Sequence, residues 1–509
     1  MNRKGKSALA LALGALMTTA LAGCGSNEVK MFDAGVQLSE GTYAGNLFTG
    51  NPVKGIELGA DPTILYEDGW YYCYPTTSFP IDGGGYGVYR SKDLWNWEDL
   101  GACYTTSGDS WAHTQFWAPE VTKIDGKFYL FSTGGRVDGH WTDSFGETHH
   151  RHAVGVAVAD NPWGPFEDLR TEEGERFVFA PDYSVIDADV FVDDDGKIYF
   201  YYTREWNDNP VTDSLIGETR ESHIYGAEIE LSEHGFEFRS EPKLLVRPSL
   251  NWHHFVTEAP HMHKSNGVYY LTYSSGSNKE YSVGCKIGTS PLGDFTDAEE
   301  SRILYSDSDS QFLSCSGHHA FVTSPEGDSY IIYHTCVDAT EFTWDRNIRV
   351  DRVFYNADGI VCAGPTAEYV WYPRERIGYY NIAPEGTVVA TNGVNDASLL
   401  NDNRIVVNWD NMKYEWKCGK TSATVNVKFD QERAVKAVMI YSSVDRFANI
   451  IESAKVTIAG VTQKVKFIQF STGVAIAELE KAVSVSEVKI EVSATDGELA
   501  LSEIVVLGL

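Results

Sequence analysis

The feature that most constrains the fold of this chain is a hairpin motif that occurs five times in its first 370 residues. In each copy, an acidic or amide residue and a glycine precede a strand-like run rich in aromatic residues. The five glycines, spaced 57 to 71 residues apart, are Gly69, Gly126, Gly196, Gly267 and Gly327. Asp-Gly and Asn-Gly pairs form tight hairpins because these residues tolerate positive φ. Each unit holds about four strands, so the repeat predicts a five-bladed β-propeller rather than a sandwich of irregular hairpins.

The length of the chain indicates how many domains it has, and its charge excludes one class of partner. The chain has 509 residues and a net charge of −31. A length well beyond ~300 residues predicts more than one domain, and a strongly acidic surface repels phosphate backbones, so nucleic acid is excluded as an expected partner.

The N-terminal sequence predicts an export signal. Three basic residues precede an apolar stretch over residues 8–22, the order found in secretory signals. The stretch ends in Leu-Ala-Gly-Cys24, which resembles the lipobox of bacterial lipoproteins; a cleavable signal with an incidental cysteine is the alternative. We expect residues 1–23 to be removed, Cys24 to carry a lipid anchor, and residues 24–50 to be a tether. The localisation expected is an exported, membrane-anchored lipoprotein, in the periplasm or on the surface of a bacterium.

The other cysteines do not define a framework. Seven remain, without CxxC spacing, so a complete set of disulfides is excluded and a zinc cluster is not expected.

The irregular positions of the repeat indicate a site. The first strand of each propeller blade lines the central channel, so equivalent residues converge there. Counting back eight or nine residues from the repeat glycines gives Asp61, Trp117, Asp187, Glu258 and His318. Crowded carboxylates repel one another and are costly to desolvate. Three of them at equivalent positions therefore predict a catalytic site rather than a structural channel.

These positions lie in motifs that resemble glycoside hydrolase family 43 over about residues 50 to 370. The motifs are Gly-Ala-Asp61-Pro, Trp117-Ala-Pro-Glu, Ile-Asp187-Ala-Asp, Thr-Glu258-Ala-Pro and Gly-His318. The resemblance implies that Asp61 is the general base, Glu258 the general acid, and Asp187 the residue that orients the acid and modulates its pKa. Ala188 departs from the Pro that many members carry.

The chemistry of the residues agrees with these roles. Hydrolysing a glycosidic bond with inversion requires a protonated carboxyl for the leaving oxygen and an ionised carboxylate for the water, about 6.5–9.5 Å apart. Carboxylates on different blades can meet this spacing across a channel. Asp187 lies between the other two in blade order, where its negative charge is expected to raise the pKa of Glu258.

Further residues are candidates for substrate binding. Aromatic and imidazole rings suit the face of a sugar. The predicted stacking wall consists of Trp111, His113, Phe116 and Trp117, with core packing as the alternative for Phe116.

Two more assignments come from the resemblance. It places an arginine near the sugar, for which Arg346 competes with Arg349 and Arg352. It also implies that His318 holds a central water or a structural Ca²⁺ ion, with a packed core histidine as the alternative. No cofactor is expected to be required.

The last 120 residues change in character. Alternating Lys and Val strands predict a β-sandwich. We expect a propeller catalytic domain over residues 51–375 and a jelly-roll-like β-sandwich accessory domain over 385–509, giving an all-β fold. The second domain resembles the discoidin-like family 32 carbohydrate-binding modules. Its candidate sugar platform is Trp409, Tyr414 and Trp416, and structural support of the propeller is the alternative role.

The expected function is an inverting, exo-acting glycosidase on side chains of plant polysaccharides or on oligosaccharides. The resemblance favours an α-L-arabinofuranosidase, with β-D-xylosidase next and arabinanase or galactanase as further alternatives. A non-catalytic surface glycan-binding lipoprotein is the alternative of a different class, and it predicts a broken acid set. We expect a monomer whose partners are its carbohydrate substrate and, through Cys24, a membrane.

Overall fold

The computed structural model describes residues 47–509, except 78–83, 143–146, 215–216, 277, 306–312, 339–342, 357–358, 367–368, 446–448 and 469–472. The predicted leader, Cys24 and most of the predicted tether lie outside the described residues. No helix within the described ranges is long and apolar enough to cross a membrane.

Five antiparallel sheets form the predicted five-bladed propeller, one for each copy of the motif. Blade 1 has the strands Gly59–Glu67, Trp70–Thr77, Gly85–Ser91 and Trp97–Thr105. Blade 2 has Ala112–Ile124, Lys127–Thr142, Thr148–Ala159, Glu167–Asp168 and Val178–Phe179. Blade 3 has Val185–Val192, Ile198–Arg204, His223–Ser232, Gly235–Phe238 and Lys243–Val246, with a separate hairpin of Pro210–Ser214 and Gly217–Arg220. Blade 4 has Thr257–Ser265, Val268–Ser275, Ser282–Gly288 and Thr296–Tyr305, and blade 5 has Gly317–Thr323, Ser329–Cys336, Arg346–Asn356 and Gly359–Cys362.

The repeat glycines form the turn between the first two strands of each blade. Their φ angles lie between 78° and 91°. The preceding Asp68, Asp125 and Asn266 also have positive φ. Such turns match the right-handed twist of a hairpin, which is why the motif was visible in the sequence.

Apolar clusters lie between the blades. One cluster fills each of the five contacts between neighbouring blades, and each draws on both blades. Between blades 5 and 1, for example, Trp95 packs edge-on against Tyr330, with ring centroids 6.0 Å apart. Much of the aromatic content of the chain therefore holds blades together. The strand Phe48–Gly50 pairs with Tyr369–Trp371 and joins the two ends of the propeller.

The chain continues into a further β-sheet domain, which completes the predicted all-β class. Its antiparallel sheet contains Tyr380–Asn381, Thr387–Ala390, Trp416–Lys417, Ser422–Ser442, Ser453–Ile458, Val461–Ile468, Val474–Ser493 and Ala500–Gly508, and a small sheet pairs Asn449–Ile450 with Asp496–Gly497. The described helical segments are short: the α-helix Arg374–Ile377 and the 3-10 turns Trp206–Asp208, Asn251–His253, Asn278–Glu280, Ala383–Glu385, Ala397–Leu400 and Trp409–Tyr414.

Candidate active site

Each innermost strand carries a bulge at the same place. The register of these strands against their neighbours shifts there in all five blades. The bulge residues with positive φ are Asp61 (46°), Ala118 (38°), Asp187 (53°), Ala259 (50°) and His318 (44°). Positive φ is unfavourable for residues with a Cβ, so surrounding contacts must maintain it. Bulges redirect side chains, and here they direct residues from every blade toward one point.

Hydrogen bonds between neighbouring blades hold four of the five bulges. In these four cases, the side chain seven residues after the repeat glycine accepts the backbone N–H of the next blade's bulge residue. These bonds run from Ala118 N to Thr76 Oγ1 (2.7 Å), Asp187 N to Thr133 Oγ1 (3.2 Å), His318 N to Ser274 Oγ (2.8 Å) and Asp61 N to His334 Nδ1 (3.1 Å). The geometry of the site is thus set by contacts between blades.

The bulge beside Glu258 is held differently. The Ala259 N–H donates to Oδ2 of Asp187 at 3.1 Å. Thr203, which occupies the equivalent acceptor position, is buried, and its hydroxyl has no hydrogen-bond partner among the described residues. Asp187 therefore fixes the backbone next to Glu258.

The bulge region opens into a cavity of about 490 Å³. Six of the eleven candidate residues in the propeller line it: Asp61, Trp117, Asp187, Glu258, His318 and Arg346. Five of these come from the innermost strands, and Arg346 begins the third strand of blade 5. The convergence inferred by counting along the repeat is therefore present in the structure.

Asp61 is surrounded by positively polarised groups. Its Oδ1 lies 3.2 Å from Nη1 of Arg346 and 3.2 Å from Nδ1 of His318. Burial alone would raise the pKa of Asp61, but Arg346, His318 and His334 outweigh it and hold that pKa well below its usual range. Asp61 is therefore ionised at neutral pH, as a general base must be.

The pKa of Glu258 is shifted in the opposite direction, upward. Burial raises the pKa of Glu258 to about 7, and the charges of Glu205 and Asp61 add to the effect. The Tyr281 hydroxyl opposes it by donating to Oε1 of Glu258 at 2.8 Å. Burial, followed by the nearby Glu258 and Asp61, also raises the pKa of Asp187 well above its usual range. The like-charge effect expected from Asp187 on the pKa of Glu258 comes instead from Glu205 and Asp61. One cavity therefore contains an ionised carboxylate, Asp61, and two carboxyls whose raised pKa favours the protonated form, Glu258 and Asp187. An ionised and a protonated carboxyl together are the combination needed for acid–base catalysis.

Three members of the predicted stacking wall do not line this cavity. The Trp111 ring packs so closely over the third strand of blade 2 that a Cβ added at Gly155 would lie 2.6 Å from it. Phe116 packs edge-on against Tyr86, with centroids 6.0 Å apart, and His113 is exposed. Because Trp111 packs within blade 2, Phe116 packs against blade 1 and His113 is exposed, only Trp117 of the predicted wall lines the cavity.

The structure distinguishes the three arginine candidates. Arg346 lines the cavity and contacts Asp61. Arg349 donates instead to Thr335 Oγ1 (2.8 Å), and Arg352 to Asp328 Oδ2 (3.0 Å). The two alternatives therefore have other partners.

The surroundings of His318 do not fit a Ca²⁺ ion. The carboxylate nearest to its Nδ1 is Asp61, and the Arg346 guanidinium already occupies the cationic position beside Oδ1 of Asp61. A divalent cation prefers several oxygen ligands. Within the described ranges, no group of three or more His, Cys, Asp or Glu side chains is arranged to hold a metal ion. His318 instead helps to keep Asp61 ionised.

Several lining residues were not singled out from the sequence. His334 and Thr76 lie seven residues after their repeat glycines, a count that would have found them. Glu205 and Tyr281 lie in connecting segments, where no repeat marks them. An apolar wall is formed by Trp206 and Phe255, whose rings lie 5.5 Å apart.

A five-bladed propeller with two such carboxyl groups in one cavity defines a class of glycosidases. The family model "Glycosyl hydrolases family 43" matches residues 49–361, more than half of the chain. The protein therefore belongs to glycosyl hydrolase family 43 and is a hydrolase of O-glycosyl bonds. Hydrolases of this family work without a cofactor.

Named relatives match the propeller part of the chain. A xylosidase/arabinosidase of Bacteroides ovatus is 30% identical over 329 residues, 59% of this chain and 93% of that protein. A beta-xylosidase of Xylanibacter ruminicola is 28% identical over 332 residues, 59% of this chain and 94% of that protein. The crystal structure of a thermostable family-43 glycoside hydrolase has 28% identity and a TM-score of 0.54, covering 63% of this chain and 97% of that one.

Proposed function

We propose that the protein is an inverting, exo-acting α-L-arabinofuranosidase acting on side chains of plant polysaccharides or on oligosaccharides. The observation that carries the proposal is the opposite protonation preference of Asp61 and Glu258 in one cavity. The volume of about 490 Å³ lies in the range of sites that enclose one small ligand, which supports action on a terminal sugar.

In the proposed reaction, Glu258 donates its proton to the glycosidic oxygen as the bond to the anomeric carbon breaks. Asp61 accepts a proton from the water that attacks that carbon from the opposite face, so the configuration inverts. Asp187 holds the Ala259 N–H and thereby orients the segment that carries Glu258. Arg346 and His318 keep Asp61 ionised between turnovers.

A β-D-xylosidase is the second candidate, because the relatives include proteins named xylosidase/arabinosidase and beta-xylosidase. Initial rates on 4-nitrophenyl α-L-arabinofuranoside and 4-nitrophenyl β-D-xylopyranoside distinguish the arabinofuranosidase from the xylosidase. NMR of the anomer released first shows whether the configuration inverts. We expect the arabinofuranoside to be cleaved faster, with inversion. Faster xyloside cleavage would select the second candidate, retention would contradict the mechanism, and cleavage of neither would favour a glycan-binding protein.

We further propose export and lipid anchoring at Cys24, supported by the charged and apolar order of residues 1–23. Metabolic labelling with a palmitate analogue, compared between the wild type and Cys24→Ala, tests the proposal. Label retained in the variant would contradict it.

For the C-terminal domain we propose a discoidin-like module with a sugar-binding surface. Trp416 is fully buried and Tyr414 stacks with Arg404 at 3.8 Å, whereas Trp409 is 43% exposed. Trp409 therefore supports the platform best. Loss of retention on arabinoxylan in Trp409→Ala, with activity on nitrophenyl glycosides unchanged, is the expected result; equal retention would leave structural support as the role.

A further inference from the structure

A fourth carboxylate lines the catalytic cavity, and its one effect described so far is to raise the pKa of Glu258. Glu205 follows directly after the blade 3 strand Ile198–Arg204 and is only 4% exposed. Its chain neighbours Trp206 and Asn207 also line the cavity. This segment forms a wall that comes from neither the innermost strands nor the repeat.

The Glu205 carboxylate is held at both oxygens. Oε2 lies 2.7 Å from Nδ1 of His152, and Oε1 accepts from Nδ2 of Asn207 at 2.6 Å. The His152 ring in turn packs against the ring of Trp117, with centroids 4.4 Å apart. Glu205 is thus fixed relative to the aromatic side chain expected to contact the sugar.

These contacts leave hydrogen-bonding capacity. A carboxylate has about four acceptor positions. The His152 imidazole and the Asn207 amide occupy two of them. Among the described residues, no lysine or arginine forms a salt bridge with Glu205, in contrast to Asp61 with its Arg346. Such a carboxylate in a cavity that already contains the ionised Asp61 is unfavourable, unless a ligand supplies hydrogen-bond donors.

We propose that Glu205 binds hydroxyl groups of the sugar and determines which sugar the cavity accepts. This inference rests on the proposed function, because it requires a sugar in the cavity. A site built to bond a hydroxyl discriminates against a sugar whose hydroxyl lies elsewhere, since the buried acceptor is then left without a donor. The pair His152 and Asn207 are positioning residues for this contact.

The chain offers a matched control in the same blade. Glu221 is also buried and also contacts an imidazole, with Oε2 2.8 Å from Nε2 of His223, but it does not line the cavity. It differs from Glu205 in that its Oε2 also accepts from Nη2 of Arg247 at 2.9 Å. Glu205→Gln and Glu221→Gln therefore make the same chemical change at two buried Glu–His pairs. Circular dichroism and thermal melts establish that each variant is folded.

The test measures kcat and KM of both variants and the wild type on 4-nitrophenyl α-L-arabinofuranoside and β-D-xylopyranoside. For Glu205→Gln we expect kcat/KM on the preferred sugar to fall by roughly ten- to a hundredfold, mainly through KM. The ratio of kcat/KM between the two sugars should shift with it, whereas Glu221→Gln should retain the wild-type ratio.

A folded Glu205→Gln enzyme whose sugar ratio stays within about twofold of wild type would overturn the inference while leaving the proposed function intact. Wild-type protein that cleaves neither glycoside would overturn both. If Glu205→Gln does not fold, Asn207→Ala provides the second measurement, because it keeps the carboxylate but frees one oxygen. It should shift the ratio in a folded enzyme, and an unchanged ratio there would also overturn the inference.

Discussion

At the scale of single residues, the site depends on what surrounds two acids that are chemically alike. Asp61 is buried and Glu258 partly buried in the cavity, and this burial by itself raises the pKa of each. The guanidinium of Arg346 beside Asp61 reverses the effect there, while Glu205 adds to it at Glu258. The assignment of base and acid follows from the neighbours rather than from the acids themselves.

The roles of the two acids differ in their dependence on the leaving group. Glu258→Gln should lower kcat on 4-nitrophenyl and natural substrates by about 10²–10⁴, but much less on a 2,4-dinitrophenyl glycoside, whose leaving group needs no proton. Asp61→Asn should lower all rates alike, because the water still lacks its base. Both are measured as initial rates, with circular dichroism as the folding control. Equal losses of Glu258→Gln on all leaving groups would contradict its role as the acid.

The pKa of Glu258 also predicts the pH profile. General acid catalysis needs the protonated form, so kcat/KM should decline above about pH 7. The Tyr281 hydroxyl stabilises the ionised form of Glu258. Tyr281→Phe should therefore raise the pKa of Glu258 and move the alkaline limb to higher pH. A limb that stays in place or moves to lower pH would show that this hydrogen bond does not set the acid's pKa.

At the scale of elements, the five innermost strands share one device. Each bulge residue donates its backbone N–H to a side chain of the preceding blade. The acceptor is a hydroxyl in blades 1, 2 and 4 and an imidazole in blade 5. Blade 3 departs from the pattern, because Asp187 replaces Thr203 as the acceptor. The departure falls at the bulge next to Glu258, where the acid must be oriented.

This difference between blades can be measured with two isosteric substitutions. Thr133→Val removes the acceptor of the Asp187 N–H and leaves a buried donor without its partner, so we expect a loss of about 1–3 kcal/mol in stability. Thr203→Val removes a buried hydroxyl that has no partner among the described residues, so stability should be unchanged or higher. Thermal and urea unfolding compare the two. Similar losses in both variants would contradict the hydrogen-bond pattern.

The sequence was informative where local chemistry repeats. The Asp-Gly and Asn-Gly turns depend on residues that tolerate positive φ, and the inner-strand residues keep a constant offset from those turns, so both could be inferred by counting. Glu205 could not, because it enters the cavity from a connecting segment unique to blade 3. The expectation that Trp111 faces the sugar is not met, because its ring packs on a neighbouring strand. The sequence does not distinguish an aromatic residue that faces a ligand from one that packs on a strand.

At the scale of the whole molecule, the propeller and the C-terminal domain share an apolar core. The closing strands of the propeller contribute Phe48 and Trp371, and the C-terminal sheet contributes Met439 and Leu507. The Tyr441 hydroxyl also donates to the backbone oxygen of Tyr369 at 2.8 Å. The C-terminal domain thus packs on the segment where the two ends of the propeller meet.

This shared core predicts that the two domains unfold together. Met439 is fully buried in it, so Met439→Asp would place a charge without a partner in an apolar contact, at a cost of several kcal/mol. Val394→Asp is the matched control, because Val394 belongs to the same domain and is 68% exposed. We expect one calorimetric transition for the wild type and for Val394→Asp, and for Met439→Asp a lower melting temperature or two separate transitions. A Met439→Asp scan that matches the control would mean that the propeller is stable without this contact, and the C-terminal domain would then need a role other than support.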